Sequence, residues 1–210
     1  MNDSIDGPIE FDIYYDYLCP NAHAVTVWIR QLQQQLGDRL TVNWRYFPLE
    51  QANSKHDPDW KLWEQPADYQ SPGLNAFHAA IAASNQGKEA FDRFHYALID
   101  ARHITGRNVS RRPTLRTLAE QAGLDLAQFD RDMEDRSLLQ RLAVDYEAAR
   151  HEHGIFGTPT LVFPSGEAVY LKMSPAPPAK DAVAVLDEIL RIARRRPYIT
   201  EIKRPDRLAA

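Results

Sequence analysis

The sequence predicts an α/β fold in which a block of helices is inserted between two halves of a sheet. Hydrophobic patterns in the 210-residue chain follow the order strand–helix–strand at the start and strand–strand–helix at the end. Between residues 73 and 154 every strong pattern is helical. This order favours insertion into one α/β domain over two tandem domains. We therefore expect a sheet-forming domain from residues 1–72 and 154–210, and a helical subdomain at residues 73–153.

The first half begins with a strand–helix–strand unit. β-Branched and aromatic residues over Ile9–Tyr15 predict a strand. The next helix is predicted to begin at Pro20 and to end before Gly37, because proline is favoured at the first helical position and glycine just after the last. The residues at helical spacing on its buried face are Val25, Trp28, Ile29, Leu32 and Leu36. Residues 40–47 predict a second strand, expected to lie parallel to the first.

The remaining elements are predicted from similar signals. Residues 51–72 are rich in Asn, Asp, Pro and Gln, and we expect them to form a long loop. Helices are predicted at residues 74–84, 90–101, 113–123, from Asp125 onward, and 136–153. A turn at residues 164–167 joins residues 160–163 and 168–171 into a hairpin. A last helix is expected at residues 178–195.

Composition and charge exclude several classes of function. A net charge of -4 with mixed signs argues against nucleic acid as a dedicated partner. No apolar run approaches the roughly 20 residues of a membrane helix, and residues 1–8 lack the features of a secretory signal. The single cysteine, Cys19, excludes an internal disulfide and a zinc site built from cysteines. We therefore expect a cytoplasmic protein without a nucleic-acid, membrane or metal partner.

Cys19 is the first candidate for chemistry because it directly precedes a predicted helix. Unpaired backbone N–H groups and the helix dipole favour an anion at this position, and so favour a thiolate. His23, one turn further on, would add positive charge when protonated. Tyr14, Tyr15 and Tyr17 flank the cysteine loop, and we expect at least one to pack in the core and another to contact a ligand. The alternative is a buried cysteine that packs as a small hydrophobe.

A second candidate is the segment Gly157-Thr158-Pro159-Thr160, which directly precedes the first strand of the hairpin. Proline cannot donate a hydrogen bond to a sheet, so Pro159 is expected at the first position of the strand. Local sequence alone predicts a trans Thr158–Pro159 bond, because only about 5% of X–Pro bonds in folded proteins are cis.

These segments and the helical block form one pattern that covers residues 9–195. A strand that leads into Cys-Pro-X-X at a helix start, a helical insertion, and Gly-Thr-Pro-Thr before a closing hairpin resemble the DsbA-like thioredoxin family. Phe47-Pro48-Leu49 and residues 87–98 resemble its cytoplasmic branch with a larger insertion. Kappa-class glutathione transferases and 2-hydroxychromene-2-carboxylate isomerases share this architecture. The resemblance implies a thioredoxin-like fold, β-α-β then β-β-α, with an inserted all-helical subdomain.

The resemblance also implies roles for single residues. Cys19 would be the nucleophile, and Pro20 would set the start of the helix. We expect Pro20, Asn21, His23 and Tyr15 to lie in the substrate-binding site.

The Thr158–Pro159 segment completes the implied site. Pro159 would be cis and would face the cysteine loop, while Thr158 would offer its backbone to a bound peptide or to glutathione. Ala22 occupies the position of the family's resolving cysteine, so this chain departs from the family pattern. With one sulfur, Cys19 is limited to a mixed disulfide with an outside thiol or to oxidation to sulfenic acid.

Three functions are consistent with the sequence. The first is a monothiol oxidoreductase that forms mixed disulfides with glutathione or protein cysteines. The second is a glutathione-dependent transferase or isomerase, and the third is a non-catalytic member that binds a peptide or small molecule. The expected partner is a thiol-containing protein or small molecule, with no cofactor beyond glutathione as a co-substrate. The sequence is compatible with a homodimer and does not determine the oligomeric state.

Overall fold

A mixed four-stranded sheet forms the centre of the fold. The computed structural model describes residues 7–204, and expectations for residues 1–6 and 205–210 lie outside that range. The strands are β1 (Ile9–Tyr15), β2 (Leu40–Tyr46), β3 (Thr160–Val162) and β4 (Ala168–Tyr170), in the spatial order β2-β1-β3-β4. β1 is parallel to β2 and antiparallel to β3, and β3 is antiparallel to β4. The predicted parallel crossover and the predicted hairpin are therefore confirmed.

Helices cover this sheet, and most of them come from the segment between β2 and β3. In chain order the described helices are α1 (Pro20–Leu36), α2 (Leu49–Ala52), α3 (Leu74–Ser84), α4 (Lys88–His103), α5 (Arg112–Gln121), α6 (Leu126–Glu134), α7 (Gln140–His151) and α8 (Ala182–Arg195). Helix α7 packs on the sheet: the Tyr46 backbone N–H donates to Asp145, 3.0 Å away. In residues 7–204, no helix is long and apolar enough to cross a membrane.

Helix α1 follows the predicted boundaries because its end signals are local. Pro20 occupies the first turn, and Gly37 adopts a φ of 53°, where a side chain would be strained. Trp28 is fully buried, and its indole N–H donates to the carbonyl oxygen of Ala182 at 2.9 Å. This bond joins α1 to the start of α8.

Residues 51–72 are more ordered than the predicted long loop. α2 extends to Ala52, and a 3₁₀ turn covers Leu62–Glu64. Leu62 and Trp63 are buried in this turn, and the Trp63 ring lies 5.6 Å from that of Tyr146 on α7. Burial of these apolar side chains gives the segment structure that its polar composition does not predict.

Two predicted helices begin differently in the structure. The helix expected from residue 136 starts as a 3₁₀ turn at Arg136–Leu139, because the Asp135 side chain accepts a hydrogen bond from the Ser137 N–H. It then continues as α7. The last helix is preceded by a 3₁₀ turn at Ala179–Asp181. Residues 197–204 form no strand.

We expect Trp28→Ala to lower the free energy of unfolding by about 3–5 kcal/mol, because it opens a cavity between α1 and α8. Urea unfolding with an unchanged m-value would measure this loss. Val144→Ala is the control, since Val144 is 61% exposed and its truncation should change stability by less than about 0.5 kcal/mol. Equal effects of the two substitutions would contradict the packing described.

Candidate active site

Cys19 is placed by the junction between β1 and α1. Residues 16–18 turn the chain out of the sheet, and the Cys19 N–H donates to the Asp16 carbonyl oxygen at 3.2 Å. Cys19 is the N-cap of α1, with an extended backbone (φ -74°, ψ 118°), and Pro20 follows at the first helical position. The sulfur therefore lies at the helix end where unpaired N–H groups favour an anion.

The Thr158–Pro159 loop lies against the cysteine. In the pairing of β1 with β3, Tyr14 is opposite Thr160, so the residues after β1 meet the residues before β3. The Thr158–Pro159 peptide bond is cis, the isomer that the family resemblance implies and that local sequence does not. Sγ of Cys19 donates a hydrogen bond to the Thr158 carbonyl oxygen at 3.3 Å. The two candidate segments thus form one site.

Thr158 also carries a polar atom without a partner. Its side chain is 2% exposed, and no residue within 7–204 forms a hydrogen bond with its Oγ1 atom. Burial of an unpaired hydroxyl is costly. Thr158 therefore leaves a buried hydroxyl unpaired among the described residues, while its carbonyl oxygen accepts from Cys19.

Asp16 is a buried carboxylate in the turn before Cys19, and sequence analysis did not identify it. Its Oδ1 accepts from the Leu18 N–H and its Oδ2 from the Leu49 N–H, both at 2.7 Å. Burial raises the pKa of Asp16 to about 6, although both hydrogen bonds act in the opposite direction. Asp16 thus ties the cysteine loop to the segment that follows β2.

A cavity of about 370 Å³ opens beside the sulfur. Its apolar lining comes from the cysteine loop, from the segment after β2 and from the start of α3, through Leu18, Pro20, Pro48, Leu49, Pro72 and Phe77. Cys19 lines the same cavity and is 5% exposed. A reacting partner would therefore approach the sulfur through a mainly apolar space.

Tyr15 does not line this cavity, and the expectation that it binds substrate is corrected. Its side chain is 1% exposed, and its hydroxyl donates to that of Tyr17 at 2.9 Å. Tyr17 in turn forms a hydrogen bond with Nδ1 of the fully buried His95, at 3.1 Å. The alternation of side chains along β1 points Tyr15 into the core between the sheet and α4. Tyr14 is buried as well.

The other expected site residues lie along the first turn of α1. Pro20 lines the cavity, and Asn21 is half-buried. The ring of His23 stacks on that of His103, with centroids 5.3 Å apart, and its Nε2 has no hydrogen-bond partner within residues 7–204. His103 Nε2 forms a 2.8 Å hydrogen bond with the Tyr17 carbonyl oxygen. His23 is thus held beside the cysteine loop by stacking.

Tyr170 is a further residue of the site that sequence analysis missed. It pairs with Thr160 in the hairpin, and its ring lies 5.1 Å from that of Phe156, which is 68% exposed. A Cβ at Gly157, directly before Thr158, would lie 3.2 Å from Cε2 of Tyr170, so the ring packs on the cis-proline loop. Burial, and then the charge of Cys19, raise the pKa of Tyr170. The predicted hairpin contained Tyr170, but only the strand register shows its position.

A cysteine at a strand–helix junction, opposite a threonine–cis-proline loop, defines this chain as a thioredoxin-fold protein. The profile of the DSBA-like thioredoxin domain matches residues 10–179, and the chain belongs to that family. The resemblance inferred from the sequence is confirmed. Within residues 7–204, no group of three or more His, Cys, Asp or Glu side chains is arranged to hold a metal ion.

Three proteins show how far the similarity extends. The uncharacterized protein Rv2286c of Mycobacterium tuberculosis is 28% identical over 197 residues, which cover 92% of this chain and 81% of that protein. A putative protein disulfide isomerase from Nitrosomonas europaea gives a TM-score of 0.63 at 18% identity, covering 88% and 98% of the two chains. A 2-hydroxychromene-2-carboxylate isomerase gives a TM-score of 0.61 at 17% identity. That match covers 92% of this chain and 100% of the isomerase chain. The two structural matches establish the fold.

The buried carboxylate predicts a pH-dependent stability. Because the folded-state pKa of Asp16 (about 6) exceeds its ordinary value of 3.8, its stabilising effect is complete below that value and is lost as the pH rises through 6. Between pH 4 and pH 7, we expect the wild type to lose about 2–3 kcal/mol of unfolding free energy relative to Asp16→Asn. Urea unfolding at several pH values would measure the difference. A difference that does not change with pH would contradict this account.

Proposed function

We propose that this protein carries out thiol–disulfide exchange with one sulfur atom, and forms a mixed disulfide between Cys19 and an external thiol of a protein or of glutathione. One observation carries the proposal. Sγ of Cys19 lies at the start of a 17-residue helix, 3.3 Å from the carbonyl oxygen that precedes the cis-proline, beside an apolar cavity. Membership of the DSBA-like thioredoxin family supports it.

The position of the sulfur suits a nucleophile. The thiolate is the reactive form of cysteine, and the amino end of α1 favours negative charge there. The hydrogen bond from Sγ to the Thr158 carbonyl oxygen belongs to the protonated thiol. Loss of that proton would free the sulfur to attack a disulfide, which would enter through the cavity.

The missing second sulfur determines how the reaction ends. Ala22 stands three residues after Cys19, is 1% exposed, and donates its N–H to the Cys19 carbonyl oxygen at 3.1 Å. No cysteine stands there to displace the partner. The mixed disulfide would therefore persist until a second external thiol attacks it.

We expect the wild-type protein to accumulate one mixed disulfide per chain when it is incubated with a peptide disulfide or with glutathione disulfide. Intact-mass spectrometry would detect the added thiol, and dithiothreitol would remove it. Cys19→Ser should gain no mass, because a serine hydroxyl forms no disulfide.

Ala22→Cys is the matched test of the missing sulfur. A second thiol at this position should displace the partner, so that this variant releases the external thiol and forms an internal disulfide with Cys19 instead. If wild-type Cys19 gains no mass while the urea-unfolded chain does, the proposal is wrong, and a non-catalytic binding function is favoured. Activity with glutathione that persists in Cys19→Ser would favour the transferase or isomerase instead.

A further inference from the structure

The cavity beside Cys19 is negatively charged. Two carboxylates line it, those of Asp16 and Glu50, and neither an arginine nor a lysine does. None of the ion pairs described within residues 7–204 involves Asp16 or Glu50. A group that enters the cavity therefore meets two acidic side chains and no basic one.

Neutral donors hold the Glu50 carboxylate in place. Its Oε1 accepts from the Tyr69 hydroxyl at 3.2 Å, and its Oε2 accepts from the Ser71 hydroxyl at 2.5 Å. Ser71 Oγ itself accepts from the Leu74 N–H at 2.8 Å, at the start of α3. Hydroxyl donors orient the carboxylate without cancelling its charge, so Glu50 is a fixed anionic group of the cavity.

The two carboxylates act on each other. The charge of Glu50 adds to the effect of burial in raising the pKa of Asp16. Both groups therefore belong to one electrostatic environment, and Asp16 carries charge above about pH 7. A cleft lined by charge of one sign attracts counter-charged reactants and repels like-charged ones.

The remaining wall of the cavity selects for apolar groups. Leu18, Leu49 and Phe77 contribute side chains to it, and prolines fill much of the rest. Such a wall favours an apolar side chain next to the reacting sulfur, since burial of apolar surface is favourable. Glutathione offers no apolar side chain, and it carries more negative than positive charge at neutral pH.

We infer that the partner of Cys19 is a protein or peptide cysteine flanked by an apolar and a basic residue, and that glutathione is disfavoured. The basic group would pair with Glu50, and the apolar side chain would contact the wall that includes Leu49 and Phe77. This inference rests on the proposed thiol–disulfide exchange and names its substrate class.

The proposed exchange needs no additional oxidant, because the peptide disulfide supplies the oxidised sulfur. The Cys19 thiolate attacks one sulfur of a peptide disulfide, whose S–S bond breaks as the bond to Sγ forms. The second peptide leaves as a thiolate and takes a proton from water. One disulfide is consumed and one is formed.

The test uses the full-length protein and disulfide dimers of the blocked tripeptides Cys-Leu-Lys, Cys-Leu-Glu and Cys-Gly-Lys, with glutathione disulfide, at pH 7.5. Intact-mass spectrometry gives the rate at which each disulfide modifies Cys19. Each of these rates is divided by the rate at which the same disulfide reacts with N-acetylcysteine amide. We expect Cys-Leu-Lys to react about tenfold or more faster than Cys-Leu-Glu or glutathione disulfide. It should also react faster than Cys-Gly-Lys.

Glu50→Gln should remove most of the preference for Lys over Glu, because the amide keeps the size of the side chain and loses its charge. Glu64→Gln is the matched control, as an exposed acid outside the cavity that should leave the preference intact. Equal rates for the Lys and Glu peptides, or a preference that Glu50→Gln does not change, would overturn the inference while the proposed exchange stands. If no disulfide modifies Cys19, the inference and the proposed function both fail.

Discussion

The antiparallel pairing of β1 with β3 is the constraint on which the site depends. Because Tyr14 is opposite Thr160, the chain that leaves β1 and the chain that enters β3 meet at one end of the sheet. Cys19 and Thr158 are 139 residues apart in sequence, and this register brings them within hydrogen-bond distance. A shift of one residue would turn the side chains of β3 to the opposite face and would separate the two loops.

The segment between β2 and β3 supplies the part of the cavity that the sheet does not form. The segment after β2 and the start of α3 supply two walls of the cavity, and Asp16 fastens the first of these to the cysteine loop through the Leu49 N–H. Ser71 does the same for the second wall, because its hydroxyl accepts from the Leu74 N–H at the start of α3 and donates to Glu50. The cavity is therefore a joint product of the sheet and the insertion. Its charge comes from residues that also hold these segments together.

The single sulfur and the acidic cavity together define the chemistry proposed for Cys19. In the proposed exchange, an external thiol would complete the reaction, because residue 22 has no sulfur. The choice of that thiol would then depend on the surroundings of Cys19, which are apolar walls and the two carboxylates of Asp16 and Glu50. In the proposed reaction, selectivity would come from the cavity, while reactivity would come from the amino end of α1.

The sequence by itself determined the features that depend on neighbouring residues. Pro20 and Gly37 delimit α1, and Asp125 caps α6 with hydrogen bonds to the Ala127 and Gln128 N–H groups, because capping is local chemistry. Resemblance to a family supplied the fold and a cis Pro159 that faces the cysteine loop, while the hydrogen bond from Cys19 to Thr158 came from the structure. Tertiary structure alone decided the burial of Tyr15, the coupling of Asp16 to Glu50, and the place of Tyr170 against the cis-proline loop. These features arise from contacts between segments far apart in sequence, and burial and electrostatics depend on such contacts rather than on local pattern.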